Sequence, residues 1–232
     1  MLPTIIIVGA DKGGVGKTTI SRALLDYFRA HRDTRHVKPC VFDTEADPGV
    51  LRRFYPGAKL VDVAQVRGQM DVFDAVPDAK VTVVDLRAGV LSRVLGAMRD
   101  AGLLQDVHEG KMRMVVLHVL GSTEASLREI AATAEVLAIG GEHILVKNHA
   151  TDGQFFEWDK ATHDTYFNGA AVHGLIDIPH LDGMACDAVE QRGQSFAAFT
   201  ADDKNSRMLR GVVKHWISQC WAQFDLAKIA ER

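Results

Sequence analysis

Runs of apolar and β-branched residues recur along the chain and are separated by longer amphipathic stretches. Six runs have the length of strands: Thr4–Val8, Pro39–Phe42, Lys80–Val84, Arg113–Val119, His143–Val146 and Val172–Ile178. The runs are nearly continuous rather than alternating, which indicates strands that are buried on both faces. Alternation of such strands with helical stretches is typical of a parallel sheet. We therefore predict an α/β fold, a three-layer sandwich whose mostly parallel sheet is doubly wound.

Four stretches between or after these strands have helical periodicity. They predict helices at Lys17–His31, Arg87–Leu104, Thr123–Ile139 and Asn205–Ala230. Ser122 or Thr123 is the expected N-cap of the third helix, and Gly140 is its expected stop. The segment Leu51–Asp78 is read as a short strand followed by a helix. With 232 residues, we expect one domain that spans residues 1–232.

The composition excludes several classes of protein. A chain with 47% hydrophobic and 25% charged residues is typical of a globular protein with a packed core. The apolar start Leu2–Val8 lacks a basic flank, so neither a leader peptide nor a membrane span is predicted. The cysteines Cys40, Cys186 and Cys220 are scattered and predict neither disulfides nor a zinc site. We expect a cytoplasmic protein, and its net charge of −3 gives no global attraction to nucleic acid or lipid.

A glycine-rich segment joins the first predicted strand to the first predicted helix. It reads GADKGGVGKTT from Gly9 to Thr19, and its glycines let successive N–H groups converge on phosphate oxygens. Lys17 is expected at the β- and γ-phosphates, and the Thr18 hydroxyl on Mg²⁺. The segment therefore predicts a nucleotide and Mg²⁺ site. The predicted nucleotide-binding residues here are Gly13, Gly14, Val15, Gly16, Lys17, Thr18 and Thr19.

One position departs from the usual phosphate-loop pattern, because Asp11 stands at its first glycine and Lys12 follows. The segment KGGVGKTT resembles the deviant Walker A box of the ParA/MinD superfamily of ATPases. The resemblance implies a P-loop NTPase fold and an ATP-bound homodimer in which Lys12 reaches the phosphates of the opposite protomer. A second ammonium group there neutralises charge as an arginine finger does. Lys12 and Lys17 are therefore predicted to be catalytic.

Two carboxylates follow the second and third predicted strands, at the sheet edge where ligands bind in open α/β folds. Asp85 resembles the Walker B aspartate, which holds a water molecule of Mg²⁺. Asp43 resembles the Walker A′ aspartate, which orients the attacking water or completes the magnesium shell. The family usually has Asp-x-Asp-Pro, whereas this chain has Asp43-x-Glu45 and then Asp47 before proline, so each of these three acids can be aligned. The predicted metal residues are Thr18, Asp43 and Asp85, and Asp43 is also predicted to be catalytic.

The last two predicted strands end at residues that resemble the base-contacting segments of the family. Asn148 matches an asparagine that reads the adenine edge, and Pro179 lies in a stretch whose backbone lines the base pocket. An asparagine after a strand is equally well a simple turn residue. Ala150 stands where guanine-specific loops carry an aspartate, which favours ATP as the cofactor, together with Mg²⁺.

The carboxyl-terminal helix carries two stripes of helical period. The basic stripe, Lys204, Arg207, Arg210 and Lys214, resembles patches that family members use on non-specific DNA, although a solvated helix face explains it as well. The apolar stripe from Trp216 to Phe224 favours core packing over membrane binding, because few late cations accompany it. The aromatic tract Gly153–Asn168 is read as cover for the core rather than as a lid or partner surface. No role is assigned to the ten histidines.

These resemblances lead to a functional expectation. The stretch Val115–Phe199, with VLHVLGSTEAS and IDIPHLDG, resembles the TraL-like proteins of conjugative plasmids. We expect an ATP-switched dimer that acts in plasmid or DNA partition, stability or conjugative-transfer positioning, and that hydrolyses ATP slowly with stimulation by a partner protein. A related ATP-dependent synthetase is the first alternative. A module that holds nucleotide with little hydrolysis is the second, because Asp85-Leu86-Arg87 lacks the proline that is common in the family.

Overall fold

A computed structural model describes residues 2–32, 34–121, 124–150 and 172–230, without the side chains of 124–127. Its strands form one sheet of seven strands, and every pairing in it is parallel. The strands are β1 (Thr4–Gly9), β2 (Cys40–Asp43), β3 (Lys59–Leu60), β4 (Val81–Asp85), β5 (Arg113–Val119), β6 (Glu142–Asn148) and β7 (Gly174–Ile178).

The strand order is β3-β2-β4-β1-β5-β6-β7, which places β1 at the centre. From β1 the chain passes to β2 and to the edge strand β3, and then returns to β4, which lies between β1 and β2. It continues on the other side of β1 through β5, β6 and β7. In such sheets the crevice beyond the carboxyl ends of the central strands is the usual ligand site. The loop that follows Gly9 therefore starts at the most favourable position in the fold for a ligand.

Eight α-helices are present among the described residues. They are α1 (Lys17–Ala30), α2 (Val66–Phe73), α3 (Leu91–Asp100), α4 (Leu103–His108), α5 (Glu124–Leu137), α6 (Gly183–Arg192), α7 (Phe196–Ala201) and α8 (Arg207–Leu226). A short 3-10 helix covers Leu51–Arg53. Helices α1, α6, α7 and α8 pack on one face of the sheet, and α2 to α5 pack on the other. The predicted three-layer α/β class is confirmed, and the sheet is wholly parallel in the described residues.

Consecutive residues of β1 enter two different cores. Ile6 and Val8 belong to the core beneath α1 and α8, whereas Ile5 and Ile7 belong to the core beneath α3 and α5. Burial on both faces explains why this strand is apolar at successive positions. The continuous apolar pattern was thus a correct signal for a central parallel strand.

The apolar stripe of α8 packs in the core, as the sequence predicts. Trp216, Ile217, Cys220 and Phe224 are buried, and the Phe224 ring meets the Tyr27 ring edge-on at 5.5 Å. Burial of such side chains stabilises the fold by roughly 1.5–3 kcal/mol each. None of the described helices has both the length and the hydrophobicity that crossing a bilayer requires.

Several predicted boundaries differ from the structure. The single helix predicted for Arg87–Leu104 is wrong, because Gly102 adopts a positive φ of 78° and divides it into α3 and α4. Helix α5 ends at Leu137, three residues before the predicted stop at Gly140. Leu51–Asp78 does contain a short strand and a helix, β3 and α2. Ser122, Thr123 and the aromatic tract Gly153–Asn168 lie outside the described residues.

Candidate nucleotide-binding site

The loop between β1 and α1 has the backbone shape that a phosphate cradle needs. Gly14 and Gly16 have φ of 74° and 90°, in the left-handed region that glycine enters without strain. A Cβ atom on Gly16 would lie 2.0 Å from Nδ2 of Asn148, so a larger residue there would displace the Asn148 side chain. Helix α1 begins directly after Gly16 without a side-chain cap. In the part of the chain that the structure describes, the first N–H groups of α1 thus receive no cap from the residue before the helix, as at helix ends that bind phosphate.

The Lys17 side chain points back into this loop. Its ammonium group is buried and donates to the Lys12 carbonyl at 3.0 Å. Burial lowers the pKa of Lys17, and the nearby carboxylates of Asp85 and Glu45 partly oppose that shift. The carboxylates favour the charged form of Lys17, and a buried ammonium that donates to a neutral backbone carbonyl is suited to bind phosphate oxygens instead.

A hydroxyl and carboxylate cluster lies beside Lys17. The Thr18 hydroxyl donates to one oxygen of Asp85 and the Ser21 hydroxyl donates to the other, both at 2.8 Å. Burial raises the pKa of Asp85 to about 7, although the two hydroxyl donors favour its ionised form. Hydroxyl and carboxylate oxygens are the ligands that Mg²⁺ prefers, and a divalent cation would offset the buried negative charge. The residues present therefore fit a magnesium site.

Asp43 lies next to Asp85 in the sheet, and its side chain is turned toward its own loop. Its two carboxylate oxygens accept from the N–H groups of Glu45 and Arg52, at 3.0 and 2.9 Å. The carboxylate is fully buried by this loop, whereas Glu45 and Asp47 are exposed. Asp43 reaches the predicted edge of the sheet, and its role toward water or metal stays a prediction.

Asp11 has a structural role that the sequence pattern did not indicate. Its carboxylate accepts from the Leu91 N–H at 3.0 Å and from the Ser92 hydroxyl at 2.7 Å, at the beginning of α3. A carboxylate at this end of a helix is stabilised by the unpaired N–H groups and by the helix dipole. The residue that replaces the usual glycine therefore joins the loop to α3.

The two residues predicted to contact the base are each engaged in a protein contact. Asn148 Nδ2 donates to the Val15 carbonyl at 2.9 Å, so the end of β6 supports the phosphate loop. The Pro179 carbonyl accepts from Trp216 Nε1 at 2.7 Å. Both residues lie at the carboxyl edge of the sheet, and their contact with a base stays a prediction.

No family model and no curated protein matches the sequence. Among solved structures, the chain is similar to the MinD cell division protein of Aquifex aeolicus, with 13% identity and a TM-score of 0.49. That comparison covers 96% of each chain. A structural similarity of this degree carries no information on the activity of this chain.

Two further residues support the site and were not predicted. Ser21 lies one helical turn after Thr18 on α1, a spacing that places both hydroxyls on one face toward Asp85. That spacing was visible in the sequence. Thr44 donates its N–H to the Asp85 carbonyl, and its hydroxyl oxygen accepts from the Arg87 N–H. These bonds fix the loop after β4.

The predicted basic stripe is only partly a free surface. Arg210 forms an ion pair with Asp203, whereas Lys204, Arg207 and Lys214 are exposed. Arg207 also lines a groove between α8 and the segment 180–182 before α6, together with His215 and the exposed Met208. Binding of DNA by this stripe stays a prediction.

Proposed function

We propose that this chain is a ParA/MinD-like ATPase that binds ATP with Mg²⁺ at the loop Asp11–Thr19. The observation that carries the proposal is the arrangement of Lys17, Thr18 and Asp85 at the start of α1. One buried ammonium, one hydroxyl and one buried carboxylate lie together below a glycine loop with the required backbone shape. This combination suits phosphoryl transfer, in which the protein mainly positions charge.

Each residue has a distinct task in this proposal. The N–H groups of the loop and of the first turn of α1 hold the phosphates, and Lys17 leaves the Lys12 carbonyl to bind phosphate oxygens. Thr18 and Asp85 hold the metal, directly and through water. Mg²⁺ when bound neutralises negative charge on the phosphates. The burial of Lys17 and Asp85 strengthens these interactions because water screens them poorly.

Lys12 differs from Lys17 in its surroundings. Its side chain is exposed at the mouth of the loop, and only its carbonyl contacts Lys17. An exposed ammonium at this position is free to reach a phosphate group on a second copy of the chain. We therefore propose that ATP drives homodimerisation through Lys12, and that a partner protein binds selectively to the ATP-bound dimer. Positioning of plasmid DNA or of a transfer complex is the role that we propose for this switch.

A second candidate function follows from Asp43. Asp43 is fully buried and both of its oxygens accept from backbone N–H groups of its own loop, so a rearrangement of the 45–52 loop is needed before it meets and orients water. A protein without that rearrangement holds nucleotide and hydrolyses little of it. This regulatory module shares the nucleotide site with the leading proposal and differs from it in turnover. The related synthetase is the remaining alternative, and it requires a small acidic substrate.

Light scattering coupled to size exclusion tests the switch. We expect the wild-type mass to rise from 25.4 kDa to twice that value with Mg²⁺ and a non-hydrolysable ATP analogue, and to stay monomeric with ADP. Lys12→Ala should bind the analogue and remain a monomer, because it lacks the ammonium that crosses the interface. Lys38→Ala removes an exposed lysine from the connection between α1 and β2, and this variant should dimerise like the wild type. A mass that never responds to nucleotide contradicts the switch.

A further inference from the structure

Glu129 on α5 contacts the phosphate loop from outside the predicted motifs. Its Oε1 accepts from the Asp11 N–H at 2.6 Å, although 118 residues separate the two in sequence. The Glu129 side chain is about nine-tenths buried. A carboxylate acceptor makes this bond stronger than one between neutral groups. Glu129 thus holds the first residue of the loop.

Two buried histidines support Glu129 from behind. His118 Nε2 on β5 lies 3.0 Å from the same Oε1, and His118 Nδ1 lies 3.1 Å from His143 Nε2 on β6. His118 Nε2 is not aligned for a hydrogen bond to Glu129, so the two atoms are in contact without such a bond. Burial is the main reason why the pKa of His143 falls to about 3, which keeps this ring neutral. The two rings stack with their centroids 5.3 Å apart and place polar nitrogen atoms behind the carboxylate.

Asp11 is consequently held on two sides. Glu129 on α5 binds its N–H, and the beginning of α3 binds its carboxylate through Leu91 and Ser92. The next residue in the chain is Lys12, whose direction depends on the backbone of Asp11. The negative charge of Glu129 also raises the pKa of Lys17, against the effect of burial, so its field extends to the phosphate site.

We propose that Glu129 is a positioning residue that orders the phosphate loop before nucleotide arrives, by fixing the Asp11 N–H against α5. A loop that is ordered in advance loses less conformational freedom on binding, so its affinity for nucleotide is higher. Glu129 does not touch the nucleotide and acts through Asp11. This inference rests on the proposed nucleotide site, and it adds α5 to the elements that control that site.

Three variants on α5 test the proposal. Glu129→Met keeps the length of the side chain and removes the acceptor, whereas Glu129→Gln retains an oxygen that can accept from Asp11. Glu135→Ala changes an exposed glutamate on the same helix and serves as the control. In the nucleotide-free protein, hydrogen exchange at the Asp11 amide should be about tenfold faster in Glu129→Met, the change expected when a bond to a charged group is lost. The Gln and Glu135→Ala variants should exchange within about threefold of the wild type.

Affinity for Mg²⁺–ADP provides the second measurement. Glu129→Met should bind about tenfold more weakly and Glu129→Gln should restore binding, which a purely structural role would not produce. Unchanged Asp11 exchange in Glu129→Met overturns the proposal, and so does faster exchange with unchanged affinity. A wild-type protein that binds no nucleotide contradicts the proposed function instead. The exchange measurement then still supports or overturns the anchoring of Asp11 by Glu129.

Discussion

Replacement of Asp85 by asparagine should weaken the binding of Mg²⁺–ATP by about 10- to 100-fold, the cost typical of losing a carboxylate that holds a metal-bound water. The same change should stabilise the nucleotide-free protein at neutral and higher pH. Both effects have one physical cause. The Asp85 carboxylate is fully enclosed by protein, where its charge is costly unless a cation is present.

The pH dependence follows from the raised pKa of Asp85. Its ordinary value is 3.8, and burial raises it to about 7 in the folded chain. Between these values the folded protein keeps a proton that the unfolded chain has released, so stability falls as pH rises. Asparagine has no such proton, so the stability of Asp85→Asn relative to wild type should rise between pH 3.8 and about 7. The total gain is a few kcal/mol, at about 1.4 kcal/mol per pKa unit.

Urea unfolding with EDTA and without nucleotide, at about pH 5 and about pH 8, measures this difference. Asp78→Asn, which alters an exposed aspartate, is the control and should show no such dependence. Asparagine still accepts from one hydroxyl of the Thr18 and Ser21 pair and donates to the other. The substitution therefore preserves the local packing. A relative stability that is equal at the two pH values contradicts the assignment of a buried, uncompensated charge to Asp85.

Lys17→Ala should reduce the affinity for ATP and ADP by about a hundredfold, because it removes a charged donor to phosphate oxygens from a buried site. Four carboxylates, those of Asp85, Glu45, Glu129 and Asp11, act on Lys17 electrostatically. Without its ammonium the site presents mainly negative charge to a polyphosphate. Mg²⁺ alone then has to offset the negative charge of both the carboxylates and the phosphates.

Calorimetric titration of nucleotide into the variant and the wild type measures this loss. Lys12→Ala is the matched control, since it removes a lysine from the same loop whose side chain is exposed. We expect Lys12→Ala to retain ADP affinity within about threefold, because an exposed charge contributes little to binding within one chain. Equal affinity of Lys17→Ala and wild type would mean that nucleotide does not occupy this loop.

The sequence predicted those parts of the fold that local patterns determine. Continuous apolar runs identified the six longer strands, and the glycines of the phosphate loop identified the start of α1. Helix α6 was missed because it buries only Ala185 and Val189 and has little apolar periodicity. Its Asp182 cap and the left-handed Gly193 that follows it were readable signals. Helix α7 has six residues, which is too short for a periodic pattern to emerge.

The positions of the candidate site residues were predictable to the same extent. Lys17, Thr18 and Asp85, which the structure places near one another, were singled out because each belongs to a short motif at the end of a strand or the start of a helix. The contact of Asp11 with Glu129 joins residues that lie far apart in the chain, so no local pattern reveals it. The bonds of Asp43 join residues that are near one another in the chain, but they depend on the path of the 45–52 loop, which no motif in the sequence specified.

Release of phosphate from Mg²⁺–ATP by the purified chain alone tests the proposed ATPase most directly. We predict slow release that depends on the protein, that needs no organic co-substrate and that Lys17→Ala lacks. Tight binding of ATP with no release above the Lys17→Ala background would contradict the ATPase and favour the nucleotide-holding module. Release that requires a small carboxylic acid would contradict it as well and favour the synthetase.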